Sequence, residues 1–241
     1  MKDFASSWLV VTADQIRSRR STDAVPHALA ALAEAGLDMR LDFERTVGDE
    51  VQGLTSNVAD VLAGVKILTH LGEWRIGIGV GAVEFPLPAS TRAARGSAFI
   101  AAREAVTLAY RAPAAIAVRW AYQDREPPVA IPPTPGRVSP EAVGAAAYAS
   151  GCSPQSRADD ALTAWRALMS RRTDEGWQAV TLVESGLSHR SVADRLGVSE
   201  SAISQRLSRA RQAEAAAAER LAGCELADLV ALPPARPEPL G

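Results

Sequence analysis

Two sets of residues in this chain have types and spacings that could do chemistry. The first is a pair of aspartates. Asp14 closes the apolar run WLVVTAD, and Asp49 sits in the turn Gly48-Asp49-Glu50 between two strand-like segments. If those strands are neighbours, the two carboxylates share one site. Close carboxylates repel unless a cation lies between them, so Asp14 and Asp49 form a candidate Mg²⁺ site, with Glu50 as a third acidic candidate. Two such ions could organise a nucleoside triphosphate. Arg17, Ser18, Arg19 and Arg20 follow Asp14 towards a helix, where positive charge and backbone N–H groups favour phosphate, which makes them candidate nucleotide contacts. Either Asp alone would read as an ordinary turn residue.

The second set lies near the C-terminus, in SVADRLGVSESAISQRLSRAR. Trp177, Val180, Thr181 and Val183 mark a helix that ends at Gly186. Ser188 caps the next helix, whose inward face is Val192, Ala193 and Leu196. Gly197 supplies a turn, and Ser199, helped by Glu200, caps a third helix with Ile203 and Leu207 facing inward. Helix, glycine turn and helix at this spacing form a helix-turn-helix. On the third helix Ser201, Ser204, Gln205 and Ser208 face outward, with Arg206, Arg209 and Arg211 on the flanks. Gln can pair bidentately with adenine, and the arginines can reach guanine or phosphate. Arg190 and Arg195 on the preceding helix suit backbone contacts. The competing reading of this segment is a three-helix bundle with a solvated arginine face.

The elements that must position these residues follow from pattern. Trp8 to Ala13 reads as a buried strand, and Ala24 to Ala35 as a helix closed by Gly36. Met39 to Val47 and Val51 to Thr55 read as a hairpin. Asn57 caps a helix running to Leu71, closed by Gly72. Trp74 to Val83 is strand-like, and its alternating glycines invite a close approach to the backbone. A helix from Gly96 to Ala109 and a strand from Ala114 to Arg119 follow. The order β-α-β-β-α-β-α-β predicts an α+β, ferredoxin-like or palm domain with its helices on one face of an antiparallel sheet.

From Gln123 the chain is rich in Pro and reads as a linker, and Gly144 to Ser156 also reads as irregular. Ala158 to Ser170 returns to helical periodicity, with Leu162, Trp165, Leu168 and Met169 as its apolar stripe. The expected organisation is a palm-like α+β domain over 1–121, a linker over 122–156, an all-α helix-turn-helix domain over 157–231 and a disordered tail over 232–241.

Bulk composition restrains the reading. The formal net charge is −2, so DNA affinity must come from a local patch. The 2 cysteines are far apart and lack metal-ligand spacing, which argues against a disulfide framework and a zinc site. His27, His70 and His189 are scattered and read as surface residues. No apolar run is long enough to span a bilayer and no signal peptide is visible, so a cytoplasmic protein without membrane contact is expected.

On the segments VVTADQIRSR, VGDEVQGL, RIGIGVGAVEF, GSAFIAAREAV and DEGWQAVTLVESGLSHRSVADRLGVSESAISQRLSRA, the chain resembles the SatD-like family of bacterial proteins, which joins a palm-like domain to a helix-turn-helix. That resemblance implies a DNA-binding regulator. The N-terminal half also resembles class III nucleotide cyclase and GGDEF palm domains. In those enzymes an Asp after the first strand and an Asp in a Gly-Asp hairpin hold two metal ions, and Asp14 and Asp49 match those positions. The resemblance further implies that Arg103 stabilises transition-state charge if the domain is catalytic, or contacts a bound nucleotide. Phe99 stands where the cyclases carry Asn. Losing that group while keeping metal ligands suits a sensor better than a catalyst.

The expectation is therefore a homodimeric transcription regulator that binds double-stranded DNA and senses a nucleotide with Mg²⁺, with enzyme activity left open and a non-catalytic palm favoured. The alternatives are an active nucleotide cyclase or nucleotidyl transferase with a DNA-binding appendage, and a constitutive DNA-binding protein whose palm only dimerises.

Overall fold

The computed structural model describes residues 7–18, 22–121 and 153–232. Arg19, Arg20, the Pro-rich linker and the tail after Leu232 lie outside the described residues. The chain is α+β, with one mixed five-stranded sheet in the order β2-β3-β1-β4-β5.

β1 (Trp8–Gln15) is central, and both its faces are covered: Leu9, Val11 and Ala13 are buried on one side, Val10 and Thr12 on the other. Burial on both faces is why WLVVTA reads as an unbroken apolar run instead of alternating. α1 (Val25–Glu34) leads into β2 (Leu41–Arg45), which pairs antiparallel with β3 (Glu50–Thr55). The turn between them needs a left-handed residue, supplied by Gly48 at φ 61°. β3 then pairs antiparallel with β1, which sets Asp14 opposite Glu50. α2 (Val58–Leu71) starts as expected: Asn57 accepts a hydrogen bond from the Ala59 N–H at 2.9 Å.

β4 (Trp74–Gly81) pairs antiparallel with the other edge of β1, setting Arg75 opposite Asp14. α3 (Ser97–Ala109) then crosses over to β5 (Ile116–Trp120), which runs parallel to β4. This corrects two expectations. The sheet is mixed, not antiparallel, and its helices lie on both faces. α3 packs with Val10 and Leu54, opposite the face that carries α1 and α2. The glycines of β4 explain the difference. A Cβ on Gly77 or Gly79 would sit 2.2 Å from the backbone nitrogen of Val106 or Ala102, so α3 lies backbone to backbone on this strand.

α4 (Pro154–Met169) begins four residues earlier than expected, with Ser153 as its cap. It shields the outer edge of β5. The N–H of Val118 donates to Asp159 Oδ1 at 2.8 Å, and the N–H of Trp120 to Gln155 Oε1 at 2.9 Å. Four residues of helix rise about 6 Å and two of strand about 6.6 Å, so a helix running beside the strand can answer its free donors in step. At the far end buried Arg166 donates to the carbonyls of Ala115 and Trp74. Burial pulls its guanidinium down to about 10, still charged at neutral pH. An edge covered this way cannot pair with another chain.

Three short helices follow, α5 (Asp174–Glu184), α6 (His189–Leu196) and α7 (Glu200–Arg209), and then a long one, α8 (Gln212–Ala231). α5, α6 and α7 share a small core of Ala179, Val180, Val192, Ala193, Ile203 and Leu207. α4 and α8 instead bury Leu162, Trp165, Leu226 and Leu229 in the core of the sheet. Among the described residues no helix is long and apolar enough to cross a membrane.

Candidate nucleic-acid interface and the acidic end of the sheet

Three serine or threonine caps build the helical unit. Thr173 Oγ1 accepts from Gly176 N–H, Ser188 Oγ from Ser191 N–H and Ser199 Oγ from Ala202 N–H, at 3.1 to 3.2 Å. Each such cap contributes about 1 kcal/mol. Gly197 takes the left-handed conformation, at φ 65°, that turns α6 into α7.

On α7, Ile203 and Leu207 are buried while Ser201, Ser204, Gln205, Ser208 and Arg209 are exposed. Ser199, at the start of the helix, is exposed too, as are Arg190 and Arg195 on α6. The structure thus presents these candidates as one polar face that no other element covers. Two flanking arginines have company. Arg206 is half-buried, and its charge helps to hold the Glu175 carboxyl low, after the hydrogen bonds of Glu175's own N–H and Thr173. Arg211 pairs with Glu214 at 2.8 Å.

Contacts that the sequence did not reveal join this unit to the body. Trp177, on α5, is 5 % exposed. The His70 ring from α2 stacks on it at 4.6 Å, and the Arg172 guanidinium lies 4.7 Å from its centre. Arg172 Nε also donates to the Ala210 carbonyl at 3.0 Å. Beside them Lys66 of α2 reaches Glu184 at 2.6 Å and Glu219 of α8 at 3.6 Å.

The acidic end of the sheet holds the other candidates. Asp14 and Asp49 are half-buried, and the Asp49 carbonyl accepts from the Gln15 N–H at 3.2 Å. The Asp14 carboxylate is already engaged: its Oδ2 accepts from the Tyr110 hydroxyl at 2.7 Å and pairs with Arg75 at 3.3 Å. Arg75 in turn lies 3.8 Å above the Tyr110 ring. Hydrogen bonding to Asp14 first, then burial and the Asp14 charge, push the Tyr110 phenol above its ordinary pKa, and Asp49 adds to this while Arg75 opposes it. Both aspartates therefore act on one hydroxyl.

The donors present do not form a ready two-ion centre. Among the described residues no three His, Cys, Asp or Glu side chains group to hold a metal, and Arg75 supplies Asp14 with positive charge. A single Mg²⁺ could be held by Asp14 and Asp49 only in competition with that guanidinium. Arg17 is exposed at φ 61°, and Ser18 follows it in a turn. α1 begins only at Val25, so these two do not stand at a helix N-terminus. Arg103 is exposed on the outer side of α3, and Phe99 is buried against Val10 and Leu54. Nothing local marks Arg75 or Tyr110: the register of β1 against β4 puts Arg75 beside Asp14, and the packing of α3 brings Tyr110 at its end to the same carboxylate.

No curated protein and no solved structure matches the chain. A family model does: Sigma-70, region 4, over residues 178–213. The matched stretch takes in most of α5, all of α6 and α7 and the start of α8. With that match added to the capped helices and the uncovered face of α7, this part of the chain is a DNA-binding helix-turn-helix of the kind found in transcription proteins.

Proposed function

We propose that the protein is a transcriptional regulator that reads double-stranded DNA with α7 and carries a nucleotide-sensing site at the acidic end of its sheet. One observation carries the DNA reading. The Gln205 and Arg209 face of α7 is uncovered while Ile203 and Leu207 anchor the helix from behind. Gln205, Ser201, Ser204 and Ser208 are short enough to let the helix approach base edges. Arg190, Arg195, Arg206, Arg209 and Arg211 supply phosphate contacts that fix its position. Two copies would read half-sites about one DNA turn apart, ~34 Å.

The test is a mobility shift on duplexes selected from a random pool. Gln205→Ala with Arg209→Ala should lower affinity for the selected duplex by about 1–3 kcal/mol for the base contact of Gln205, on top of the sequence-independent loss from Arg209 that the random duplex shares. An unaltered preference for the selected duplex in that double variant would overturn the reading.

The sensing part rests on the convergence of Asp14 and Asp49 on the Tyr110 hydroxyl. The resemblance to SatD-like proteins and to cyclase palms supports the same role. A nucleotide with Mg²⁺ would engage Asp14 and Asp49 as metal ligands, and Arg17, Ser18, Arg19 and Arg103 as phosphate contacts. It would regulate DNA binding only by favouring one arrangement of the protein over another. The buried Phe99, in place of a polar group, is the reason to prefer sensing over turnover.

A further inference from the structure

A groove of about 440 Å³ opens where the polar face of α7 ends. Its floor is Ala164, Ala167 and Leu168 of α4, and its rim is Arg171, Arg209 and Arg211. Ala164, Ala167 and Leu168 are spaced three and one residues apart, so they form one stripe near the end of that helix, and Arg171 follows in the turn after it. No acidic residue lines the groove. Among the described residues Arg171 and Arg209 have no ion pair, and Arg211 has only the exposed Glu214 one turn away. Such an exposed pair holds Arg211 only weakly. Three cations around one apolar groove repel one another unless an anion comes between them.

We infer that this groove is a phosphate-backbone contact, and that Arg171 extends the DNA interface beyond the helix-turn-helix onto the turn that follows α4. The inference rests on the DNA-binding reading of α7. Continuity favours duplex DNA as the occupant, because Arg209 is the last residue of α7 and belongs both to its exposed face and to the groove. With α7 in a major groove, the sugar-phosphate chain of one strand passes its end. A free anion fits less well, since Arg171, Arg209 and Arg211 are all exposed. Exposed cations gain little from one small ion but add up along a polyanion. Arg171 lies outside the stretch matched to Sigma-70 region 4. It sits two residues beyond the helix that seals the edge of β5. DNA would thus touch the sheet-bearing body as well as the helix-turn-helix.

The experiment uses the full chain and a random-sequence 30-base-pair duplex, with affinity followed by fluorescence anisotropy across salt concentrations. Each phosphate contact contributes about 0.9 to the slope of log affinity against log salt. Arg171→Ala should lower that slope by ~0.9 and weaken binding equally on random and selected duplexes. Arg171→Lys should keep the slope. A slope unchanged in Arg171→Ala overturns the inference. So does an effect confined to the selected duplex, or calorimetric loss of inorganic phosphate binding without a change in slope. Folded wild-type protein that binds no duplex overturns the helix-turn-helix reading itself; wild-type protein that binds, with a slope indifferent to Arg171, overturns only the groove.

Discussion

At the scale of single residues, Asp14 decides what the acidic end of the sheet can bind. Its carboxylate is neutralised from within by Arg75, and its hydrogen bond keeps the proton on Tyr110. The Tyr110 phenol is therefore a built-in reporter. Its pKa is raised because ionisation would put a phenolate against Asp14, and Asp49 adds to the repulsion. Ultraviolet titration of the wild type, with Tyr110→Phe subtracted, should show Tyr110 ionising above the usual value of 10, and Asp14→Asn should bring it back down. Mg²⁺ held by the two aspartates would also lower it, because a cation favours the phenolate. If Mg²⁺, with or without ATP or GTP, leaves the Tyr110 curve in place, Arg75 keeps Asp14 and the metal-dependent sensor loses its support.

Elements explain why some of this could be read from sequence and some could not. The helix-turn-helix was legible because its caps and turn are local: Ser188, Gly197 and Ser199 each satisfy the backbone within three residues of themselves. The strands around Asp14 were legible for a similar reason, since Gly48 marks the hairpin. The position of α3 was not. Alternating glycines in β4 announce a close approach but not what approaches, and only the β4–α3–β5 crossover supplies the answer. α8 fell within the expected all-α stretch, but its packing on the sheet was not legible, because its sequence, QAEAAAAERLAGCELADLVA, has helix-forming alanines but a weak apolar stripe. Its role as a core helix depends on partners far away in sequence, as does the pairing of Gln155 and Asp159 with β5. The α3 contact gives a sharp prediction. In Gly79→Ala the new methyl would lie 2.2 Å from both Ala102 N and Ala98 O, and backbone cannot swing aside as a side chain can. The denaturation midpoint should fall by the equivalent of at least about 1–3 kcal/mol, the range for overpacking a tight site. Gly223→Ala is the control. Its nearest neighbour is the flexible end of Leu62 at 3.2 Å, and it should cost far less.

For the molecule as a whole, the question is how firmly the helix-turn-helix is held to the body. The seam includes the His70–Trp177 stack, Arg172 over the same indole and bonded to the Ala210 carbonyl, and Lys66 between Glu184 and Glu219. The ion pairs are partly exposed and contribute ~0.2–1 kcal/mol each. The aromatic stack is the part that titrates. Burial lowers the pKa of His70 below 6.5, and Asp174 only partly opposes this. Of the other charged groups around the seam, Lys66 and Arg172 are cations and do not favour a second positive charge, while the carboxylates Glu184 and Glu219 are paired with Lys66. A histidine whose folded pKa is depressed is neutral in both folded and unfolded protein at high pH, where the stack has its full strength. As pH falls through the unfolded value near 6.5, the unfolded chain takes up the proton more readily, and stability is lost. Denaturation midpoints measured from pH 8 to pH 5.5 should thus fall more steeply for the wild type than for His70→Phe, which keeps a ring against Trp177 but cannot charge. Parallel curves for the two proteins would mean that His70 does not hold the seam. Steeper loss in the wild type would identify the contact that keeps Arg171 of the body and Arg209 of α7 on the rim of one groove.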